Sequence, residues 1–201
     1  MSNQTTIDAY DTFAQAYDQG VVDFWTEFPQ DFLHKFVGGL QGKRVLNLGS
    51  GSGRDAVLLR QLGVEVVCVD ASKSMIDITA KLDFESYHTD FENMTFDLGS
   101  FDGVWAYCLL LHINRRQAAE VFRKLHTYLK PSSLCVVGVI EGDSEAMVEH
   151  EIMPGTSRYF QFYTNNELKR LVHAADFTIV HEQEYVADGG TFLSHIYEIN
   201  K

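Results

Sequence analysis

The sequence predicts an α/β fold in which helices cover both faces of a mostly parallel sheet. Three observations lead to this prediction. Short runs rich in β-branched residues alternate with helical patterns, a glycine-rich loop follows the first run, and two further strand patterns end the chain. With 201 residues, the chain is long enough for one domain with a large core. We therefore expect a single domain over residues 1–201.

Four apolar runs are predicted to form parallel strands, because continuous apolar runs are typical of strands that are buried on both faces. They are RVLNL (44–48), VEVVCVD (64–70), FDGVWAYC (101–108) and SLCVVGVIE (133–141). Apolar residues at helical spacing predict helices after the run FDGVWAYC and near the end of the chain. One helical face comprises Ala118, Val121, Phe122, Leu125 and Leu129, and the other comprises Leu168, Leu171, Val172 and Ala175. This alternation indicates right-handed βαβ units.

The last two strand patterns predict an antiparallel hairpin. FTIVHEQEYVA and TFLSHIYEIN flank Asp188-Gly189-Gly190, a composition typical of tight β-turns. Upstream of the hairpin, Thr164 and Glu167 have the spacing of a capping box, which predicts that a helix begins there.

Residues 1–40 are predicted to form a helical cap. Ile7, Tyr10, Ala14 and Tyr17 follow one helical face, and the segment VVDFWTEFPQDFLHKFV is dense in aromatic residues. We interpret this region as two helices that pack on the sheet or over its mouth, with Tyr10 and Tyr17 reaching a ligand. Plain core packing of the aromatic residues is the alternative.

The composition narrows the choice of partners. The formal net charge is −12, which argues against nucleic acid, because sequence-independent binding depends on neutralising phosphates with basic side chains. It also disfavours anionic membrane surfaces. No apolar run approaches the roughly 20 residues that cross a bilayer, and the first residues lack a secretory pattern. We therefore expect a cytoplasmic location. The expected oligomeric state is a monomer or homodimer. Cys68, Cys108 and Cys135 lack metal-ligand spacing and are expected to be buried free thiols.

The loop GSGSG, residues 49–53, indicates a nucleotide-type cofactor. Glycines let the backbone turn tightly and let a ligand lie against peptide N–H groups beyond the carboxyl ends of the strands. Dinucleotide enzymes show G-x-G-x-x-G, whose last glycine would fall on Arg54, so G-x-G-x-G describes this loop better. Asp70 follows the next strand and can accept both hydroxyls of a ribose. Alternatively it caps the next helix, although Ser72 is better placed for that.

A third signal is the segment HTDFENMTFDLGSFDGVWA, residues 88–106. In it, the acidic residue Asp90 follows the expected third strand, and Phe101-Asp102 then begins the run FDGVWAYC, the expected fourth strand. With these motifs, the chain from about Val45 onward resembles the class I S-adenosylmethionine-dependent methyltransferases, most of all their small-molecule branch. The resemblance implies a Rossmann-like three-layer sandwich with a seven-stranded, mostly parallel sheet that ends in an antiparallel hairpin. It implies S-adenosylmethionine as the cofactor and S-adenosylhomocysteine as the product.

The resemblance also assigns roles to individual residues. At the methionine part of the cofactor, it implies contacts from Asn47, Gly49, Ser50, Gly51 and Gly53. At the ribose it implies a contact from Asp70, and at the adenine contacts from Ala71, Met75, Asp90 and Phe91. The floor of the site would be formed by Ala106 and Tyr107. Asp90 would accept a hydrogen bond from the adenine amino group, and the Phe91 N–H would donate one. Arg54 is a candidate partner for the cofactor's carboxylate, or it packs at the start of a helix.

The chain departs from the family's pattern at three places. Asn47 stands where an acid usually helps to hold the cofactor's amino group, so the charge-assisted part of that contact is lost. Ser132-Ser133 replace a Gly-Gly turn, and Asp176 replaces a glycine. The last two departures concern local turn geometry more than function.

The expected reaction is an in-line displacement that moves a methyl group to an O, N, S or C atom of a small molecule, with alignment and exclusion of water as the protein's main contributions. His112 is the candidate general base and Tyr107 a second catalytic candidate, although His112 can equally be an ordinary residue at a helix entry. Residues 142–163 form a long connection that we interpret as a lid or substrate wall. Within it, Arg158 is a candidate partner for a substrate carboxylate, or it is solvated or internally paired.

Two other functions stay open from the sequence. One is a dinucleotide-dependent oxidoreductase, which the glycine spacing and the segment around Asp90 disfavour. The other is a non-catalytic domain that binds S-adenosylmethionine, which Asn47 keeps open.

Overall fold

The computed structural model describes residues 2–20, 30–187 and 190–201. The strands are β1 (Arg44–Leu48), β2 (Glu65–Asp70), β3 (Glu85–His88), β4 (Phe101–Tyr107), β5 (Leu129–Ile140), β6 (Glu145–Glu149), β7 (Ser157–Gln161), β8 (Phe177–Ala187) and β9 (Gly190–Ile199). The helices are α1 (Ser2–Gly20), α2 (Gln30–Gly39), α3 (Arg54–Gln61), α4 (Lys73–Ala80), α5 (Arg115–Tyr128) and α6 (Asn165–His173), with a 3-10 helix over Leu109–His112.

Seven strands form one sheet in the order β3-β2-β1-β4-β5-β9-β8. The first five run parallel to their neighbours, whereas β9 runs antiparallel to both β5 and β8. This confirms the predicted seven-stranded, mostly parallel sheet with an antiparallel last strand. Because β1 pairs with β2 on one side and β4 on the other, the strand order reverses there. A crevice is expected at the carboxyl ends of these strands.

The sheet separates two hydrophobic cores, as the alternation of side chains along a strand requires. Val45 and Trp105 face the core that includes Phe36 of α2 and Leu59 of α3. Their neighbours in the strands, such as Leu46, face the core built with α5 and α6. The predicted three-layer sandwich follows from this packing.

Some predicted boundaries shift in the structure. Leu129 begins β5 instead of ending a helix, and Ala175 lies two residues beyond the end of α6. Both residues are buried, so the apolar pattern correctly marked burial but not helix. Ser132 and Asp176 adopt φ values of 58° and 61°. Ser132 and Asp176 therefore keep the left-handed backbone that favours glycine, although they replace the glycines of the family's pattern.

The two N-terminal helices have different positions. α2 packs on a face of the sheet through Phe32, Leu33 and Phe36, whereas α1 contacts β7 and α4 near the carboxyl ends of the strands. Part of the predicted aromatic segment, residues 21–29, and the turn residues Asp188 and Gly189 lie outside the described residues. In the described parts of the chain, no helix is both long and apolar enough to span a membrane.

Candidate active site

A cavity of about 740 Å³ opens at the carboxyl ends of β1, β2 and β4, beneath α1 and the β6–β7 hairpin. Its volume lies in the range of roughly 300–1,000 Å³ that is usual for small-molecule sites. Most of the predicted site residues line it. They are Tyr10, Tyr17, Gly49, Ser50, Gly51, Arg54, Asp70, Ala71, Met75, Asp90, Phe91, Tyr107, His112 and Arg158.

The glycine loop is shaped by left-handed backbone conformations. Gly51 has φ of 55°, and a Cβ atom built on it would meet nothing within 4 Å, so its bare backbone borders open space in the cavity. Gly53 has φ of 88° and faces α4, because a Cβ there would approach Thr79 to 3.2 Å. Gly53 is therefore a packing residue outside the cavity lining, and the cofactor contact that the resemblance implied for it stays a prediction.

Asn47 and Ala106 also lie outside the lining. The Asn47 side chain is buried, and its Nδ2 has no hydrogen-bond partner among the described residues. Ala106 faces the core shared with α5. Both residues are internal to strands, where alternation turns the side chain onto a face of the sheet and not toward the strand end.

Asp70 fastens the loop to the following helix. Its Oδ2 accepts a hydrogen bond from the Gly51 N–H at 2.8 Å, and its Oδ1 accepts one from the Ser72 N–H at 2.8 Å. Burial raises the pKa of the Asp70 carboxyl, although these two bonds act to lower it. Each carboxylate oxygen can accept a further hydrogen bond. Asp70 can thus hold a diol while it orders the loop.

The wall beyond Asp70 is mostly apolar. Met75 and Phe91 are both buried and line the cavity beside Ala71. Asp90 lies at the rim, where its carboxylate accepts bonds from the main-chain N–H and side-chain amide of Asn93. Apolar walls with one acceptor at the edge suit a flat heteroaromatic ring that bears an amino group.

Tyr10, His112 and Arg158 form a hydrogen-bonded chain at the other end of the cavity. The His112 Nδ1 lies 2.9 Å from the carbonyl oxygen of Tyr159, so Nδ1 carries the proton and donates, since a carbonyl only accepts. Burial lowers the pKa of His112 to about 4, which leaves the ring neutral and its Nε2 an acceptor. The Tyr10 hydroxyl therefore donates to Nε2 at 2.9 Å and accepts from Arg158 Nη1 at 2.8 Å.

This chain changes the interpretation of His112. The predicted base lines the cavity, but both of its ring nitrogens are occupied. It can take a proton from a bound acceptor only through Tyr10 or after Tyr10 moves. Tyr107, the second catalytic candidate, shares a hydrogen bond of 2.7 Å with Ser194 on β9 and stacks on Trp105, so it also has a structural role.

Arg54 lies at the start of α3 and is paired locally. Its Nε donates to Asp55 Oδ1 at 3.1 Å, and Asp55 Oδ2 accepts from the Trp105 indole at 2.8 Å. Burial would lower the pKa of Arg54, but Asp55 outweighs it and the pKa is raised. Arg54 therefore stays charged at the cavity wall, where a carboxylate could bind.

The structure adds residues that the sequence did not indicate. Asp11 of α1 accepts from the Ser72 hydroxyl at 2.7 Å and the Ser74 N–H at 2.9 Å, so it caps α4 from another helix. Val148, His150 and Phe160 bring the β6–β7 hairpin into the lining. The Asp11 contact leaves no local pattern in the sequence, because it depends on how distant segments fold together, whereas the hairpin falls within residues 142–163, which were predicted to be a lid or substrate wall.

The comparison with known families agrees with this geometry. The profile of a family described as a methyltransferase domain matches residues 21–182. The chain belongs to this methyltransferase domain family. A protein from Geobacillus sp. (strain WCH70), which carries a methyltransferase name, is 33% identical over 142 residues, or 65% of this chain and 57% of that protein. The chain spans little more than half the length of the first curated relatives it matches.

Solved structures of methyltransferases share the fold of this methyltransferase domain. A DhpI–SAH complex superposes with a TM-score of 0.81 at 18% identity, covering 100% of this chain and 98% of that one. The Burkholderia thailandensis 1,6-didemethyltoxoflavin-N1-methyltransferase, bound to 1,6-didemethyltoxoflavin and S-adenosylhomocysteine, gives 0.69 at 20% identity and covers 97% and 88% of the two chains. These likenesses extend over the seven-stranded sheet and both of its helical layers.

Proposed function

We propose that this chain is an S-adenosylmethionine-dependent methyltransferase that acts on a small-molecule acceptor. The observation that carries the proposal is the position of Asp70 and Gly51 on one cavity edge, in a chain of the methyltransferase domain family. An open bare backbone beside a carboxylate with spare acceptor capacity fits an adenosine-containing ligand. When bound, the cofactor supplies a methyl carbon activated by its sulfonium, which is transferred in line as the carbon–sulfur bond breaks.

The chain's own residues would bind and align the reactants. Asp70 would accept both ribose hydroxyls, and Asp90 would accept from the adenine amino group between the walls of Met75 and Phe91. Arg54 would pair with the cofactor's carboxylate. This arrangement is supported by the order of these residues along one cavity and by the charge balance around Arg54.

The cap and the lid belong to the same proposal. From the predicted cap over residues 1–40, α1 would shield the reacting centre from water together with residues 142–163, within a single domain over residues 1–201. Support comes from Tyr10 and Tyr17 of α1 and Arg158 of β7, which line the same cavity, with Arg158 Nη1 donating to the Tyr10 hydroxyl. The net charge of −12 supports a metabolite and not a nucleic acid as the acceptor. A cytoplasmic location and a monomeric or homodimeric state stay predictions.

A transfer assay tests the proposal. The protein is incubated with S-adenosylmethionine and, in turn, with carboxylic acids, amines, phenols and thiols, and release of S-adenosylhomocysteine is measured. We expect release that depends on one acceptor class and is lost in Asp70→Ala. Tight binding of S-adenosylhomocysteine without transfer to any class would instead indicate a non-catalytic binding domain.

A further inference from the structure

Arg158 is a buried cation without a carboxylate partner among the described residues. Its side chain lines the cavity and the residue is only 6% exposed. Nη1 donates to the Tyr10 hydroxyl, whereas Nε is buried and has no hydrogen-bond partner within residues 2–20, 30–187 and 190–201. A buried charge costs several kcal/mol unless it is paired and fully hydrogen-bonded. A guanidinium at the cavity lining that lacks a carboxylate partner among the described residues is therefore suited to pair with a bound anion.

The groups around Arg158 fix its orientation. The guanidinium carbon lies 5.4 Å from the centre of the Tyr10 ring and 5.2 Å from that of Phe160. Tyr10 cannot turn away without losing its bond to His112 Nε2, which is itself oriented by the Tyr159 carbonyl. The Arg158 guanidinium is thus held in place at the cavity lining before any ligand arrives.

The two arginines of the cavity differ in charge balance. Arg54 has Asp55 as an ion-pair partner at 3.1 Å and lies beside the glycine loop. Arg158 lies on β7 and donates to the Tyr10 hydroxyl instead. The two cations can therefore serve two different anions within one cavity.

We propose that the methyl acceptor carries an anionic oxygen group, a carboxylate or a phosphate-type group, which binds the guanidinium of Arg158. This inference rests on the proposed function and assigns its acceptor class. Guanidinium groups prefer such oxyanions because parallel N–H bonds match the spacing of the two oxygens. Tyr10 and His112 act as positioning residues for Arg158, since neither is free to meet the anion.

Calorimetric titrations in the presence of saturating S-adenosylhomocysteine test the proposal. Small carboxylates and phosphonates are compared with the matched carboxamides and neutral esters. We expect one of the two anion series to bind about tenfold to a hundredfold more tightly than its neutral counterparts, and the series that does so identifies the head group. Equal binding of anions and neutral analogues, or no binding of either series, would overturn the proposal.

Variants separate this inference from the proposed function. Arg158→Gln should abolish the anion preference, and Arg158→Lys should keep only part of it. Arg116→Gln, on the exposed side of α5, should behave as the wild type. S-adenosylhomocysteine should bind Arg158→Gln within about twofold of the wild type, because Arg54 serves the cofactor. Weakened cofactor binding in Arg158→Gln would assign Arg158 to the cofactor and overturn this inference alone. Failure of the wild type to bind S-adenosylhomocysteine would overturn the proposed function.

Discussion

A glycine of the glycine loop can be required for two reasons, a left-handed backbone and open space where a side chain would lie. Gly51 has a left-handed backbone, and the position its side chain would occupy is open cavity. Gly63 has the same kind of backbone, with φ of 86° and nothing within 4 Å of a built Cβ, but it lies outside the lining. Substitution of Gly63 therefore introduces backbone strain alone, whereas substitution of Gly51 introduces the same strain and also blocks the site.

Alanine at these positions should affect stability alike and ligand binding differently. Each of Gly51→Ala and Gly63→Ala should lower the free energy of unfolding by about 1–2 kcal/mol, because a side chain disfavours the left-handed region. Only Gly51→Ala should weaken S-adenosylhomocysteine, by about tenfold or more, since its Cβ enters the cavity. Urea unfolding and calorimetry measure the two effects. Equal losses of affinity in both variants would show that loop strain, and not contact, controls binding.

Single residues of the site were predictable where a motif fixes the end of a strand. Gly51 and Asp70 line the cavity as their motifs indicated. Asn47, Gly53 and Ala106 do not, because a motif gives the order of residues but not the direction of each side chain. Arg158 was noticed as a charged residue in a long connection. Its pairing with Tyr10, 148 residues away, had no signal in the sequence.

At the scale of secondary-structure elements, α1 closes the cavity and is attached through Asp11 and Thr6 as well as through the bonds of Tyr10 to His112 and Arg158. Asp11 accepts from Ser72 and Ser74 at the start of α4, and Thr6 accepts from the Tyr159 N–H of β7 at 2.9 Å. Burial alone would raise the pKa of Asp11, but the bonds from Ser72 and Ser74 outweigh it and lower the pKa. The carboxylate is therefore charged when it caps α4.

Removal of the Asp11 cap should loosen α1. We expect Asp11→Ala to cost about 1 kcal/mol of stability, the usual value of an N-cap, and to speed proteolytic cleavage within residues 2–20. Asp8→Ala is the control, because Asp8 is exposed on the same helix. Among the described residues, Asp8 accepts hydrogen bonds from Gln4 and Thr12 of its own helix. Equal rates of cleavage in the two variants would contradict the role of Asp11 in attaching α1.

Elements with an apolar run or a capping box were predictable from the sequence. The capping box of Thr164 and Glu167 is present as expected. β3 was not predicted as a separate run, because this four-residue edge strand is mostly exposed and lacks one. β6 and β7 pair with each other and lie outside the main sheet. The interpretation of residues 142–163 as a wall predicted where this segment lies, but it did not predict that the segment forms two strands.

At the scale of the whole molecule, global stability should depend on histidines that are buried in the neutral form. His195 of β9 is 1% exposed and its Nδ1 lies 2.9 Å from the Tyr197 hydroxyl. Burial lowers the pKa of His195 to about 4, against 6.5 for an ordinary histidine. The unfolded chain therefore binds more protons than the native protein between these pH values, and stability falls as pH falls through that window.

Replacement of His195 should reduce this pH dependence. Between pH 7 and pH 5, the wild type should lose about 1–2 kcal/mol more unfolding free energy than His195→Gln. Urea unfolding at the two pH values measures the difference. Parallel losses in both proteins would mean that the His195 ring is already protonated in the folded state or does not titrate in this range.

The central claim is that Asp70 binds the ribose of an S-adenosyl cofactor, and a calorimetric titration with S-adenosylhomocysteine and NAD tests it most directly. We expect S-adenosylhomocysteine to bind with a Kd on the order of micromolar, and NAD not to bind. Asp70→Ala should weaken the binding by about tenfold to a hundredfold through the loss of charge-assisted hydrogen bonds, whereas Asp77→Ala, exposed on α4, should not. Binding of NAD in place of S-adenosylhomocysteine, or an Asp70→Ala variant that binds as the wild type does, would contradict the claim.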